Sequence, residues 1–273
     1  MILNIKERVL DMKIKSIVKV MNFHSLVRVD KAMKKADKYL LLEKEASDII
    51  DMIVNNRNFI LDKQLWAVDE SKPTLNIYFG SDFGFCGSIN FLINQSLIKE
   101  PDANKIIIGK KIHDVRDGII LKIPREDFAN RYAEIEGILS KSIRFREHSE
   151  INLIYNHFHN TSNIELVKKR IFPFSIESNG RGKYKEDYYV EGDANKILVN
   201  LVISYLNYEV KIADVNSFAS ENIMRQNSTS ESLKKIEEKE EIELIAARKE
   251  KTQNEFKKVI EGFNKKTRIR GDR

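Results

Sequence analysis

The sequence has few residues that cross-link, bend or break a backbone. Its 273 residues include one cysteine, four prolines and eleven glycines. The single cysteine, Cys86, excludes a disulfide within the chain and is typical of a protein from a reducing compartment. A lone cysteine beside glycines can serve as a nucleophile, but we interpret Cys86 as a small buried residue. Long apolar runs are also missing, so we expect no signal peptide and no membrane span.

The helix-breaking residues are concentrated in the middle of the chain. All four prolines and nine of the eleven glycines lie between residues 73 and 192, and residues 1–72 and 193–261 contain neither type. In a helix interior proline costs about 3 kcal/mol and glycine about 1 kcal/mol. We therefore predict an N-terminal helix over 1–72, an α/β domain over 73–192, and a C-terminal helix with a basic tail over 193–273.

Both arms carry a narrow apolar seam whose steps of three and four residues average about 3.5. In the first arm the seam residues are Val29, Ala32, Ala36, Tyr39, Leu42, Ala46, Ile49 and Ile53. In the last arm they are Leu198, Leu201, Tyr205, Tyr208, Ile212, Val215 and Ala219. Such a seam winds around one partner helix with a left-handed twist, and each arm can partner the other. The predicted fold is a long antiparallel coiled coil of the N- and C-terminal helices with an inserted Rossmann-like α/β domain.

The C-terminal seam weakens over residues 220–232, SENIMRQNSTSES. Two interpretations stay open for this polar stretch. The helix is frayed or kinked there, or its polar side chains face another protein instead of the N-terminal helix.

The middle of the chain alternates strand-like and helix-like runs. Strands are predicted at 75–80, 105–109 and 151–158, and helices at 89–98 and 128–143. Residues 188–190 are a candidate last strand. Strand alternating with helix favours a small, mostly parallel sheet in Rossmann-like order.

A glycine-bearing turn, SDFGFCGSIN, follows the first predicted strand at residues 81–90. Dinucleotide-binding turns need G-x-G-x-x-G, and a P-loop needs a lysine after its last glycine. The glycines here are spaced by four and three residues, and Ser88 stands where that lysine would be. Neither phosphate cradle is present. We predict a tight connection in which Asp82 or Ser81 turns the chain and Ser88 caps the next helix, which starts near Ile89.

The same turn resembles the S-D-x-G-L-C-G-x-x-N signature of the γ subunit of F1-type ATP synthases. The matching residues are Ser81, Asp82, Gly84, Cys86, Gly87 and Asn90. The family's V-Y-N-x-F-x-N strand resembles Ile154, Tyr155, Asn156, Phe158 and Asn160. Its S-E-x-x-x-R helix resembles Ser220, Glu221 and Arg225, followed by Asn227. Its C-terminal segment is similar at Arg248, Glu255, Val259 and Gly262.

The resemblance implies a rotating shaft without catalytic residues or a cofactor of its own. ATP, ADP and Mg²⁺ would bind to a surrounding hexameric α3β3-type ring, with an ε-like subunit and a membrane rotor ring as further partners. Peripheral placement on the cytoplasmic side of the cell membrane is implied as well. We expect Arg225, Arg248, Lys249 and Glu255 to contact the ring, because charged groups form directional contacts with partner loops.

The chain also departs from the family pattern. In the N-terminal segment only Ser16, Ile17 and Lys34 agree, Lys249 replaces a glutamine, and a basic tail follows Gly262. These departures leave an alternative open, a specialised F1-like motor in a wall-less bacterium whose rotation drives a load other than proton flow, such as gliding.

Some residues bear on other functions. His157 and His159 would share one face of a strand as metal ligands do, with only His148 as a possible third, and we expect no metal site. The basic tail, with Lys265, Lys266, Arg268, Arg270 and Arg273, suits nucleic acid or anionic lipid, and the net charge of +6 permits such partners. Because the tail lacks interleaved aromatic residues, we expect no nucleic acid as the main partner. A stand-alone Rossmann enzyme would need a phosphate-binding loop, and the turn at residues 81–90 matches neither known type.

Overall fold

The computed structural model describes residues 2–54, 69–113, 117–160, 163–173 and 191–271, with side chains from residue 13 to 262 except 160 and 163. The helices are α1 (Ile2–Val54), α2 (Ile89–Lys99), α3 (Tyr132–Arg144) and α4 (Ala194–Gly271). The strands are β1 (Leu75–Phe79), β2 (Asn104–Ile108), β3 (Ile119–Ile123), β4 (Ile151–Asn160) and β5 (Asn163–Phe172). In the part of the chain that the structure describes, no helix is long and apolar enough to cross a membrane.

The chain forms two compact units. Residues 23–228 make up the sheet unit, and residues 1–22 with 229–273 make up the helical unit. These bounds differ from the predicted division at residues 72 and 192, because the inner parts of α1 and α4 pack against the sheet and belong to its unit. The predicted helix over 1–72 is also too long. Residues 69–72 form a turn in which the backbone N–H of Ser71 donates to the Asp69 carboxylate at 3.1 Å.

The sheet has the order β3-β2-β1-β4-β5. Strands β1 to β4 are parallel, and β5 returns antiparallel to β4 at the edge. The order 3-2-1-4 is the first part of the classic Rossmann order 3-2-1-4-5-6, so the predicted Rossmann-like sheet is confirmed. Two strands were not predicted: β3 is only five residues long, and β5 interleaves charged with apolar residues. The candidate strand at 188–190 lies outside the described residues.

Helices cover both faces of this sheet. Leu75, Ile77 and Phe79 of β1 point to one face, where they pack with α3, α4 and the end of α1. Tyr78 points to the other face, where it packs with α2. All five residues of β1 are buried, as expected for a central parallel strand covered on both sides.

In the sheet unit, α1 packs on α4 through small residues. Ala32 and Ala36 form a cluster with Val215 and Ala219. The predicted seam is correct here but wrong at Ile49, which is 41% exposed, whereas Ile50 is 4% exposed and enters the core. The seam on α4 is also wider than predicted, because this helix packs against the sheet as well as α1.

The helical unit pairs the same two helices. Lys15 forms an ion pair with Glu240 at 2.6 Å, and Nδ2 of Asn22 donates to Oγ1 of Thr229 at 3.1 Å. Residue numbers rise along α1 as they fall along α4, so the pairing is antiparallel, as predicted.

Candidate functional site

Residues 81–90, which we call the signature loop, connect β1 to α2 at the carboxyl end of the sheet. The backbone N–H of Ser81 donates to Oδ1 of Asn90 at 3.0 Å, and Nδ2 of Asn90 donates back to Oγ of Ser81 at 2.8 Å. Nδ2 of Asn90 also lies 3.3 Å from Sγ of Cys86, which is buried as predicted. Ser88 is at the N-cap of α2, but its side chain forms no capping hydrogen bond. Its φ of −84° and ψ of 1° lie outside the extended conformation usual for such caps.

Asp82 links the signature loop to the loops that follow β2 and β3. Its Oδ1 accepts the backbone N–H groups of Lys110 at 2.8 Å and Arg125 at 3.0 Å, and its Oδ2 accepts that of Glu126 at 3.1 Å. Burial alone would raise the pKa of Asp82, but the three backbone donors and the Lys110 ammonium outweigh it and lower the pKa below its ordinary value. Asp82 therefore holds three loops together as a carboxylate.

We expect Asp82→Asn to lower the free energy of unfolding by about 2 kcal/mol at pH 7, because an amide keeps only one acceptor oxygen. A lowered folded pKa means that the carboxylate contributes stability above its unfolded pKa of about 4, and that this contribution is lost as the pH falls through the folded value. The difference between the two proteins should shrink between pH 5 and pH 2. Denaturant unfolding followed by circular dichroism measures it.

Asp30→Asn is the control for this experiment, since Asp30 is exposed and pairs with exposed Lys34. We expect that change to cost less than about 1 kcal/mol. A difference for Asp82→Asn that stays constant with pH would contradict the role of the carboxylate.

Arg125 joins the carboxyl end of β1 to α4. Its Nη1 donates to the carbonyl oxygen of Gly80 at 2.8 Å and to Oγ of Ser217 at 3.2 Å. Its Nη2 donates to the backbone oxygen and to Oδ1 of Asp214 at 2.5 and 2.8 Å. A carboxylate oxygen of Glu221 lies 3.8 Å from Nη1. Arg125 was not predicted as a site residue.

Helix α4 covers the point at which the strand order reverses. In open α/β sheets, ligands bind outside the carboxyl ends of the strands at this point, which here lies between β1 and β4. Oγ of Ser217 donates to the carbonyl oxygen of Phe79 at 3.2 Å, and Oγ of Ser220 donates to that of Asn156 at 2.9 Å. The place where Rossmann enzymes bind nucleotides is therefore occupied by the chain's own helix.

Gly87 allows α4 to approach the signature loop. It has a φ of +60°, and a Cβ atom added to it would overlap Cε of Met224. Two motifs that are far apart in sequence, SDFGFCGSIN and SENIMR, therefore meet at this point.

The structure excludes fraying of the polar stretch 220–232, and contact of its exposed side chains with another protein stays a prediction. Helix α4 continues through it, so it is neither frayed nor broken. Five polar side chains of the stretch are buried within this chain: Ser220, Glu221, Asn222, Arg225 and Thr229. The seam weakens because α4 there meets polar loops at the carboxyl end of the sheet.

Arg225 is buried at 5% exposure and bonds within the chain. Its Nη2 donates to Glu221 at 2.5 Å, its Nη1 to Asn222 at 3.1 Å, and its Nε to the carbonyl oxygen of Gly84 at 3.4 Å. This geometry gives Arg225 a structural role between α4 and the signature loop. Its contact with a partner stays a prediction.

The other predicted contact residues belong to the helical unit. Arg248, Lys249 and Glu255 are all exposed on α4. Their side chains are accessible to a partner, as the prediction requires, but the contact itself stays a prediction. The side chains of the basic tail lie outside the described residues.

Three phenylalanines in or beside the signature loop are exposed and were not predicted as contact residues. Phe83, Phe85 and Phe91 are 60%, 65% and 61% exposed. Phe85 has a φ of 61°, a left-handed conformation that costs a residue with a side chain about 1–3 kcal/mol. Exposed aromatic rings on a strained loop are typical of contact surfaces. The available signal was the pair of phenylalanines inside the signature, where the family pattern has a variable position and leucine.

His148 is not a third metal ligand beside His157 and His159. Its Nδ1 lies 2.8 Å from Oγ of Ser142, and its Nε2 lies 3.0 Å from Nδ2 of Asn104. Burial lowers the pKa of His148. Among the described side chains, no group of three or more His, Cys, Asp or Glu residues is arranged to hold a metal ion.

The family model, the relatives and the solved structure that resemble this chain all come from ATP synthases. The family model described as ATP synthase matches residues 3–264. The ATP synthase gamma chain of Mycoplasma mycoides is 27% identical over 230 residues, which cover 80% of this chain and 81% of the relative. That of Clostridium perfringens is 25% identical over 245 residues, 83% of each chain. A chain in the central stalk and c-ring structure of Tetrahymena thermophila mitochondrial ATP synthase superposes with a TM-score of 0.54 at 19% identity, covering 79% of this chain and 99% of that one.

Proposed function

This chain belongs to the ATP synthase γ-chain family, and we propose that it is the central rotor shaft of an F1-type rotary ATPase. In that role it couples ATP hydrolysis or synthesis on partner subunits to rotation. The observation that carries the proposal is the attachment of α4 to the carboxyl end of the sheet, where Arg125, Ser217 and Ser220 bond to β1, β4 and α4.

This attachment suits the transmission of torque. Within the sheet unit, α4 packs against both α1 and the sheet, so a turning force on the helix pair passes to the sheet. A stiff, asymmetric body in the bore of a ring presents a different face to each ring subunit and biases each subunit's open-to-closed equilibrium differently. This coupling is reciprocal, so closure of a ring subunit around ATP pushes the shaft toward the angle that closure prefers.

On this proposal the chain has no catalytic residue. ATP, ADP and Mg²⁺ bind to an α3β3-type hexameric ring, which Arg248, Lys249 and Glu255 contact. Phe83 and Phe85 supply an apolar contact in the signature loop. An ε-like subunit and a membrane rotor ring are the further partners, so the chain lies at the cytoplasmic side of the membrane through its complex. The names of the relatives favour this version over a motor with another load.

Capture of the ring tests the proposal. A tagged copy of the full chain, expressed in its native cell, should copurify with two types of nucleotide-binding subunit in about threefold excess over itself. Arg248→Glu should weaken this capture about tenfold, which corresponds to about 1.4 kcal/mol, because it replaces an attractive charge by a repulsive one. Titration of tagged chain against purified ring subunits measures the affinity.

Lys251→Glu is the matched control, since Lys251 is exposed on the same helix and undergoes the same change of charge. Its effect should be within about twofold. Recovery of no nucleotide-binding subunit with the wild-type chain would overturn the proposed function, and equal effects of the two variants would overturn the role of Arg248.

A further inference from the structure

The hairpin of β4 and β5 extends beyond the rest of the sheet. Strand β1 pairs with β4 only as far as Ile154, whereas β4 continues to Asn160 alongside β5. On the extended part, where the register of β4 against β5 shifts between Phe158 and Asn160, His157 and His159 are two residues apart. Their ring centroids are 4.4 Å apart with an interplanar angle of 71°. This arrangement brings two imidazoles together near the end of the hairpin.

The groups around the two histidines complement a cation. Glu165 is paired with His157 across the hairpin, and its Oε2 lies 3.7 Å from Nε2 of His159. Lys169 is also near, but its ammonium forms hydrogen bonds to both carboxylate oxygens of Glu209 at 2.7 Å. A carboxylate therefore stands beside the imidazoles, and the nearby positive charge is already paired.

His157 has unused bonding capacity. Its Nδ1 atom is buried and forms no hydrogen bond with the described part of the chain. Neutral imidazole is the form that binds metals.

We propose that His157 and His159 bind one divalent first-row transition-metal ion, with water completing the coordination and Glu165 balancing its charge. Metal–nitrogen bonds of about 2.0–2.1 Å place two ligand nitrogens about 3 Å apart. Imidazole rings with centroids 4.4 Å apart can reach this separation by rotation of their side chains. Imidazole ligands select Cu²⁺, Ni²⁺ or Zn²⁺ over Mg²⁺ and Ca²⁺, which prefer oxygen. The inference is independent of the proposed function.

Isothermal titration calorimetry of the full chain with NiCl₂ at pH 7.5 tests this site. We expect one ion per chain, tighter binding of Cu²⁺ than of Ni²⁺, and no measurable binding of Mg²⁺. His159→Gln should weaken Ni²⁺ binding at least about tenfold, because one of two protein ligands is lost.

His113→Gln is the control, because His113 is exposed on the loop after β2. That variant should bind Ni²⁺ as the wild type does. Since His159 is 42% exposed, its replacement should leave the unfolding midpoint unchanged in metal-free buffer, which shows that the variant is folded. Absence of Ni²⁺ binding, unchanged binding in His159→Gln, or equal loss in His113→Gln would each overturn the proposal.

Discussion

Replacement of Arg125 by methionine is expected to lower the free energy of unfolding by about 2–4 kcal/mol, because it removes the ion-pair partner of Asp214 and the donor to the carbonyl oxygen of Gly80. The guanidinium is 8% exposed, forms hydrogen bonds to Asp214 and lies 3.8 Å from Glu221, whose side chain is 4% exposed. It also lies over the ring of Phe218, 5.4 Å from the ring centroid. Methionine keeps much of the length of the side chain but supplies no hydrogen-bond donor. Urea unfolding followed by circular dichroism measures the change.

Arg131→Met is the matched control for Arg125→Met. Arg131 pairs with Glu134 at 2.6 Å, but both side chains are at least 40% exposed. Exposed pairs of this kind contribute about 0–1 kcal/mol. If the two variants lost equal stability, the proposed role of Arg125 in joining α4 to the sheet would be wrong.

Gly109→Ala is expected to lower the free energy of unfolding by about 2–5 kcal/mol, the sum of backbone strain and overpacking. Gly109 follows β2 and has a φ of +120°. A Cβ atom there would lie 2.8 Å from the carbonyl carbon of Gly80 and 3.0 Å from the backbone nitrogen of Ser81. These are backbone atoms at the start of the signature loop, so they cannot move aside as a flexible side chain could. The same unfolding measurement applies.

Gly137→Ala is the opposite-sign control. Gly137 is inside α3, and a Cβ atom there would meet nothing within 4 Å. Alanine favours a helix by about 1 kcal/mol over glycine, so this variant should be more stable than the wild type. A stabilising or neutral Gly109→Ala would show that the ends of β1 and β2 do not approach each other closely.

The candidate site could be recognised from the sequence only in part. The signature residues were identified by their resemblance to a family, but nothing in that motif indicates which loops Asp82 holds. Arg125 lies 43 residues after Asp82 in a segment with no motif of its own. Its role exists only because parallel strands bring their carboxyl ends to one edge of the sheet. Phe83 and Phe85 could have been noticed as departures within the motif.

The polar stretch of α4 is a second feature whose cause could not be predicted from the sequence. The sequence revealed correctly that the apolar seam weakens after Ser220. An apolar seam reflects packing against one partner helix, whereas Ser220 bonds to β4 and Arg225 to the signature loop. Polar residues at these places could therefore be explained only once the sheet was in position.

The sequence by itself determined the features that depend on neighbouring residues. The long terminal helices follow from the positions of proline and glycine, and strands β1, β2 and β4 follow from short apolar runs. Tertiary structure decided that Ile50 and not Ile49 enters the core, that α4 covers the strand-order reversal, and that Arg125 joins α4 to the sheet. The reason is physical: helix and strand preferences are set within a few residues, whereas burial and ion pairing depend on which distant segments the chain topology brings together.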